Sequence, residues 1–165
     1  LLLMGYINPV FKFGMEKFCR KCAETEIDGV ILPDLPPEVY LEQYCGLFEK
    51  YNLQNIFLIT PQSDEERIRM IDKISGGFIY MVSSSSTTGV KSSFSAEQIA
   101  YFKKIKAMDL KNPGLIGFGI SSNETFAEAC RMAHGAIIGS AFVKMLDQQS
   151  NLSVRISSFV NGIRG

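Results

Sequence analysis

Six short apolar runs recur along the chain: "LLLMGYI" from Leu1, "GVIL" from Gly29, "NIFLI" from Asn55, "GFIYMVS" from Gly77, "GLIGF" from Gly114 and "GAIIG" from Gly135. Most are continuously apolar rather than alternating, the pattern of strands buried on both faces. Between them lie amphipathic stretches of about ten to fifteen residues with helical spacing. Strands alternating with helices imply a parallel sheet with right-handed crossovers. No linker or composition shift interrupts the pattern, and 165 residues, 46% of them hydrophobic, suit a single domain over residues 1–165 with a sizeable core.

Helix boundaries are marked locally. Pro36 and Pro37 open "PEVYLEQYCGLFEKYN", since proline is preorganised for the first helical position. Ser63 with Glu66, and Ser95 with Gln98, have the spacing of capping boxes, and Ser122 or Asn123 is placed to cap "ETFAEACRMA". "LSVRISSFVNGIRG" reads as a last amphipathic helix. The repeat fits either a doubly wound sheet or a (β/α)8 TIM barrel. A barrel usually needs ~250 residues, and this chain opens directly on core-strand residues. The expectation is an incomplete barrel lacking its first two βα units.

Charge and cysteines narrow the function classes. Seventeen basic residues balance seventeen acidic ones, which offers no electrostatic handle on nucleic acid or an anionic membrane. No apolar run reaches the ~18 residues of a membrane span, and the first residues lack the basic region and cleavage site of a signal peptide. Cys19 and Cys22 form a C-x-x-C, but in mid-helix rather than at the helix start where a redox pair belongs. Zinc would need about two more ligands nearby, and none is spaced for it. The thiols read as half-buried helical cysteines of a cytoplasmic protein, with no metal site.

Two backbone-lean corners stand out near the C-terminus. Gly117-Phe118-Gly119 and Gly139-Ser140 each end an apolar run and precede a helix. Glycine lets a backbone approach a ligand closely, and helix N-termini offer free N–H groups to anions. Barrels place a phosphate nest after their last two strands. Ordinary glycine-rich turns are the alternative. The stretch from Val82 to Ser95, "VSSSSTTGVKSSFS", is long for a strand-to-helix loop and suits a lid. It lacks the Gly-Lys pair of a phosphate-binding P-loop. Ser83 to Ser86 are conceivable nucleophiles without a base: the sole histidine, His134, sits at a helix end and reads as a dipole partner.

With these residues assembled, the chain resembles the tryptophan synthase α chain family. The matching stretches are "LLMGYINPVF", "DGVILPDLPPEVY", "FLITPQSDEERI", "GFIYMVSSSSTTGV", "GFGISS" and "GAIIGSAFVK", in the family's order and spacing over essentially the whole chain. The resemblance implies a lyase of tryptophan biosynthesis that cleaves indole-3-glycerol phosphate to indole and glyceraldehyde 3-phosphate. It implies a β-chain partner in an α2β2 complex. The pyridoxal phosphate belongs to that partner, so this chain carries no cofactor. Residue by residue, it implies a phosphate site of Gly89, Gly119, Gly139 and Ser140. The implied indole pocket comprises Tyr6, Ile31, Pro33, Ile59, Tyr80 and Phe118, and plain core is the alternative for Ile31 and Ile59. Thr88 matches the lid threonine that hydrogen-bonds a catalytic carboxylate, and Asn8, Pro9 and Pro36 match partner-facing loops.

Two departures qualify the match. The family's acid/base glutamate and its indole-binding aspartate lie on the second strand and the loop after it, before the first matching residue. No catalytic residue is therefore assigned within this chain, and the 165 residues alone are expected to be inactive. Asp34 reads as a loop or cap residue. In the lid, Ser84, Ser86 and Thr87 stand where many members carry Arg, Gly and Val. The alternatives are another phosphate-binding barrel, such as indole-glycerol-phosphate synthase, whose strand-end lysine and glutamate are missing here, or a non-catalytic phosphate- or partner-binding module.

Overall fold

The computed structural model describes residues 1–83, 94–147 and 151–165. They pack as two compact units, the first of Leu1–Ile59 with Ser63–Tyr80, the second of Thr60–Gln62 with Met81–Gly165.

The first unit opens on β1 (Leu2–Met4), followed by α1 (Ile7–Phe13) and α2 (Met15–Glu24). Next come β2 (Gly29–Ile31) and a helical stretch of α3 (Pro37–Val39), a π-helical turn (Tyr40–Tyr44) and α4 (Cys45–Lys50). The apolar run from Asn55 gives β3 (Gln54–Ile56) and β4 (Leu58–Ile59), so the one strand expected there is broken at Phe57; α5 (Glu65–Ile74) then leads to β5 (Ile79–Val82). β1, β2 and β3 pair in parallel, with Leu2 opposite Gly29 and Gly29 opposite Gln54. β2 is buried along its whole length, as its unbroken apolar run requires. Around it Phe48, Ile56, Ile59, Ile68, Ile71 and Ile79 form the unit's core.

The second unit takes the end of β5, α6 (Ala96–Ala107), β6 (Gly114–Gly117), α7 (Asn123–Met132), β7 (Gly135–Ile137), α8 (Ser140–Leu146) and α9 (Leu152–Arg164). β6 and β7 are parallel neighbours. Its core is built on Met81, Phe102, Ile105, Ile116 and Ala129.

Most local helix signals hold. Pro36 is the N-cap and Pro37 the first residue of α3. Ser95 with Gln98 forms a full capping box on α6, and Ser122 caps α7 with Thr125. The cap of α5 differs from expectation: Asp64, not Ser63, accepts the Arg67 amide at 2.8 Å. Among the described residues no helix is long and apolar enough to cross a membrane.

Candidate functional site

The two glycine corners come together through strand register. Leu115 pairs with Gly135 and Gly117 with Ile137, a constant offset along the parallel pair. Gly119 and Gly139 therefore lie equally far beyond the last paired residues, at the C-terminal edge of neighbouring strands. Gly139 is the N-cap of α8 and Ser140 its first residue, both exposed. Phe118 and Gly119 have φ of +68° and +78°. A bulky side chain in the left-handed region is uncommon and has to be held there by its surroundings. Ser83 supplies one hold: its buried Oγ donates to the Phe118 carbonyl at 2.8 Å. The hydroxyl considered as a nucleophile is thus spent on the backbone.

The expected indole-pocket residues divide by environment. Ile31, Ile59 and Tyr80 are buried in β2, β4 and β5, and burial holds the Tyr80 phenol above its ordinary pKa. Tyr6, the residue before α1, is 69% exposed, and Phe118 is 36% exposed. Pro33 and Pro36 are exposed beside a cavity of about 200 Å³ that Asp34, Phe57 and Arg67 also line. Asn8 and Pro9 are exposed on α1. Thr88, Gly89 and the replaced lid positions Ser84, Ser86 and Thr87 lie outside the described residues.

Asp34 caps a helix, as its sequence reading anticipated: Oδ1 accepts the Ile7 amide at 2.9 Å, at the start of α1. His134 departs from expectation. Its Nδ1 accepts the Gly114 amide at 3.2 Å, while its own amide donates to the Gly114 carbonyl at 3.0 Å. His134 thus joins the starts of β6 and β7 through both its ring and its backbone. A cavity of about 360 Å³ opens beside it, lined by Met81, Leu110 and Met132 among others. It lies at the N-terminal ends of β6 and β7 and includes none of the expected site residues.

Cys19 and Cys22 are buried in the middle of α2 and unbonded. Burial drives the Cys19 thiol up to about 12, with Cys22 adding to the effect, and raises Cys22 as well. Such thiols are inert. Sequence reasoning noticed Gln98 only as a cap, yet its Nε2 also donates to the Ser83 carbonyl at 2.7 Å. Nothing local to either residue announces that contact.

The family model for the tryptophan synthase alpha chain matches residues 1–160. This chain belongs to that family. The tryptophan synthase alpha chain of Flavobacterium johnsoniae is 56% identical over 164 residues, covering 99% of this chain and 64% of that relative. The solved structure of tryptophan synthase subunit alpha from Campylobacter jejuni is 31% identical and superimposes with a TM-score of 0.82 over 99% of this chain and 64% of its own. A tryptophan synthase complex from Pyrococcus furiosus gives the same TM-score at 24% identity, covering 98% of this chain and 64% of that one, and supports the fold alone. The fold is that of the (β/α)8 barrel, and the described residues of this tryptophan synthase α-family chain carry six strand–helix units of it, the chain spanning about two thirds of its relatives' length.

Proposed function

We propose that the protein carrying this chain is a lyase that splits indole-3-glycerol phosphate into indole and glyceraldehyde 3-phosphate. The observation that carries the reading is the register of β6 and β7, which sets Gly119 and Gly139 at equivalent places beyond adjacent parallel strands. Backbone N–H groups of Gly119, Gly139 and Ser140, with Gly89, bind the phosphate. By resemblance, Tyr6, Ile31, Pro33, Ile59, Tyr80 and Phe118 are the residues that contact the indole ring.

In the reaction a general acid protonates indole C3 and a general base removes the proton of the adjacent side-chain hydroxyl. The O–H electron pair becomes the aldehyde C=O bond. The electrons of the breaking carbon–carbon bond return to the ring, restoring aromatic indole. Each proton transfer is worth about 10² to 10⁴ in rate. Resemblance assigns the acid/base work to a glutamate and the indole N–H contact to an aspartate, both outside the matched residues, with Thr88 matching the lid threonine that hydrogen-bonds a catalytic carboxylate. The 165 residues by themselves bind without turning over, because uniform binding leaves the chemical barrier in place.

Asn8, Pro9 and Pro36 face a β chain that receives the indole and owns the pyridoxal phosphate, so the α chain needs no cofactor. The assembly is α2β2, and its compartment the cytoplasm.

The test is indole release by the full chain, with Gly139→Asp as the probe. Among the described residues a Cβ at Gly139 would meet nothing within 4 Å, so the variant is expected to fold. A carboxylate among the proposed N–H donors should raise KM for the phosphate substrate about tenfold or more. Absence of indole release by the unaltered full chain, or an unchanged KM in Gly139→Asp, would refute the reading.

A further inference from the structure

Ser83 directly follows β5 and is only 2% exposed. Buried polar groups require partners, and those of Ser83 converge on one corner. Its amide donates to the Gly117 carbonyl at 3.2 Å and its Oγ to the Phe118 carbonyl at 2.8 Å. Its own carbonyl accepts Gln98 Nε2 at 2.7 Å, while Gln98 Oε1 accepts the Ser95 amide at 2.7 Å. One glutamine side chain thus ties the end of β5 to the start of α6, and Ser83 ties both to the Gly117-Phe118-Gly119 corner.

The Phe118 carbonyl shares a planar peptide unit with the Gly119 N–H. In a trans peptide those two groups point in opposite directions, and no cis peptide occurs among the described residues. Holding the carbonyl toward Ser83 therefore aims the Gly119 N–H away from it. Among the described residues, a Cβ built on Gly119 would have Ser83 Oγ, 4.0 Å away, as its one neighbour within 4 Å, and glycine at φ +78° tolerates rotation of the peptide on its N-terminal side.

We propose that Ser83 is a positioning residue: its hydroxyl orients the Phe118–Gly119 peptide so that the Gly119 N–H faces the substrate phosphate, and Gln98 holds Ser83 in place. The proposal rests on the phosphate role given to Gly119 above. Losing the hydroxyl frees the peptide to rotate and removes an aimed donor to an anion. It touches neither proton transfer, so its effect falls on KM and not on kcat.

The experiment uses the full chain and two readouts: the Kd of inorganic phosphate, and kcat and KM for indole-3-glycerol phosphate. Ser83→Ala should raise Kd and KM about tenfold, the loss expected for one hydrogen bond to a charged group, with kcat within about twofold. Ser83→Thr, which keeps the hydroxyl, should restore most of the affinity. Asp64→Ala, which removes the α5 cap, serves as a comparison that lowers stability through a different element. If the unaltered chain fails to bind phosphate, the phosphate reading itself falls. Binding by the unaltered chain together with equally tight binding by Ser83→Ala overturns the positioning role alone. So does an equal affinity loss in Asp64→Ala, which would mark the effect as general destabilisation. Should Ser83→Ala not fold, Gln98→Met carries the test by removing the bond to the Ser83 carbonyl: a raised Kd supports the proposal and an unchanged Kd overturns it.

Discussion

Asp34 stands at a strand's C-terminal end, where catalytic carboxylates of barrels belong, yet it is bonded to the Ile7 amide. Asp34→Ala should therefore cost about 1 kcal/mol of stability, the usual worth of an N-terminal cap. Asp34→Asn keeps an oxygen acceptor and should lie close to the unaltered protein; denaturant titration of the three forms decides it. Thiol chemistry checks the burial of the C-x-x-C pair. Cys130 is exposed while Cys19 and Cys22 are buried with raised pKa values. At pH 8 almost no thiolate forms at Cys19, so an alkylating reagent should modify Cys130 first and leave Cys19 and Cys22 intact until the chain unfolds. Peptide mass mapping over time reads the order, and early loss of Cys19 would contradict its burial.

Helices α2 and α4 end in the same way. Glu26 and Asn52 take φ of +56° and +50°, and the amides that follow them, of Ile27 and Leu53, each reach back to a carbonyl of the last turn at 2.9 Å. This is the Schellman stop, whose left-handed position glycine fills most easily. Asparagine is tolerated there, but Glu26 is exposed and carries a Cβ penalty. Glu26→Gly should stabilise by roughly 0.5–1 kcal/mol, raising the melting temperature by about 1–4 °C for a chain of this size. Gly29 is the opposite case. A Cβ there would sit 2.8 Å from the Gln54 carbonyl and 3.0 Å from Leu2 and Ile56 side-chain carbons. Gly29→Ala should push β1 and β3 off β2 and destabilise by about 1–3 kcal/mol, again read by denaturant unfolding.

The 165 residues taken alone present an apolar edge. Leu1 is 77% exposed, Met4 56% and Tyr6 69%, and β2 is the neighbour β1 pairs with among the described residues. Unpaired, apolar strand edges invite association. The isolated 165-residue polypeptide should sediment as concentration-dependent oligomers, and Leu1→Lys with Met4→Lys should shift it toward monomer. A purely monomeric profile for the unaltered polypeptide would contradict this. The same polypeptide should release essentially no indole from indole-3-glycerol phosphate, in contrast to the full chain; turnover comparable to the full chain would place the proton-transfer groups within these residues.

Much of the architecture was legible from residues alone because its causes are local. Six apolar runs locate the strand regions, since burial on both faces demands uninterrupted apolar residues. Pro36-Pro37, Ser95-Gln98 and Ser122 marked their helices, since caps act within one turn of backbone. The choice of Asp64 over Ser63 was not legible: both are polar and adjacent, and which one caps depends on where the backbone turns into α5. The break at Phe57, the bond from His134 to Gly114, and the ties from Ser83 to Phe118 and Gln98 join residues far apart in sequence or depend on the geometry of a strand end. Ser83 lies 35 residues from Phe118, and a serine inside a serine-rich stretch gives no local sign of the carbonyl it will meet. The sequence carried the glycines of the two corners; the parallel register of β6 and β7 put them side by side, because only strand pairing converts an equal spacing along the chain into a shared edge in space.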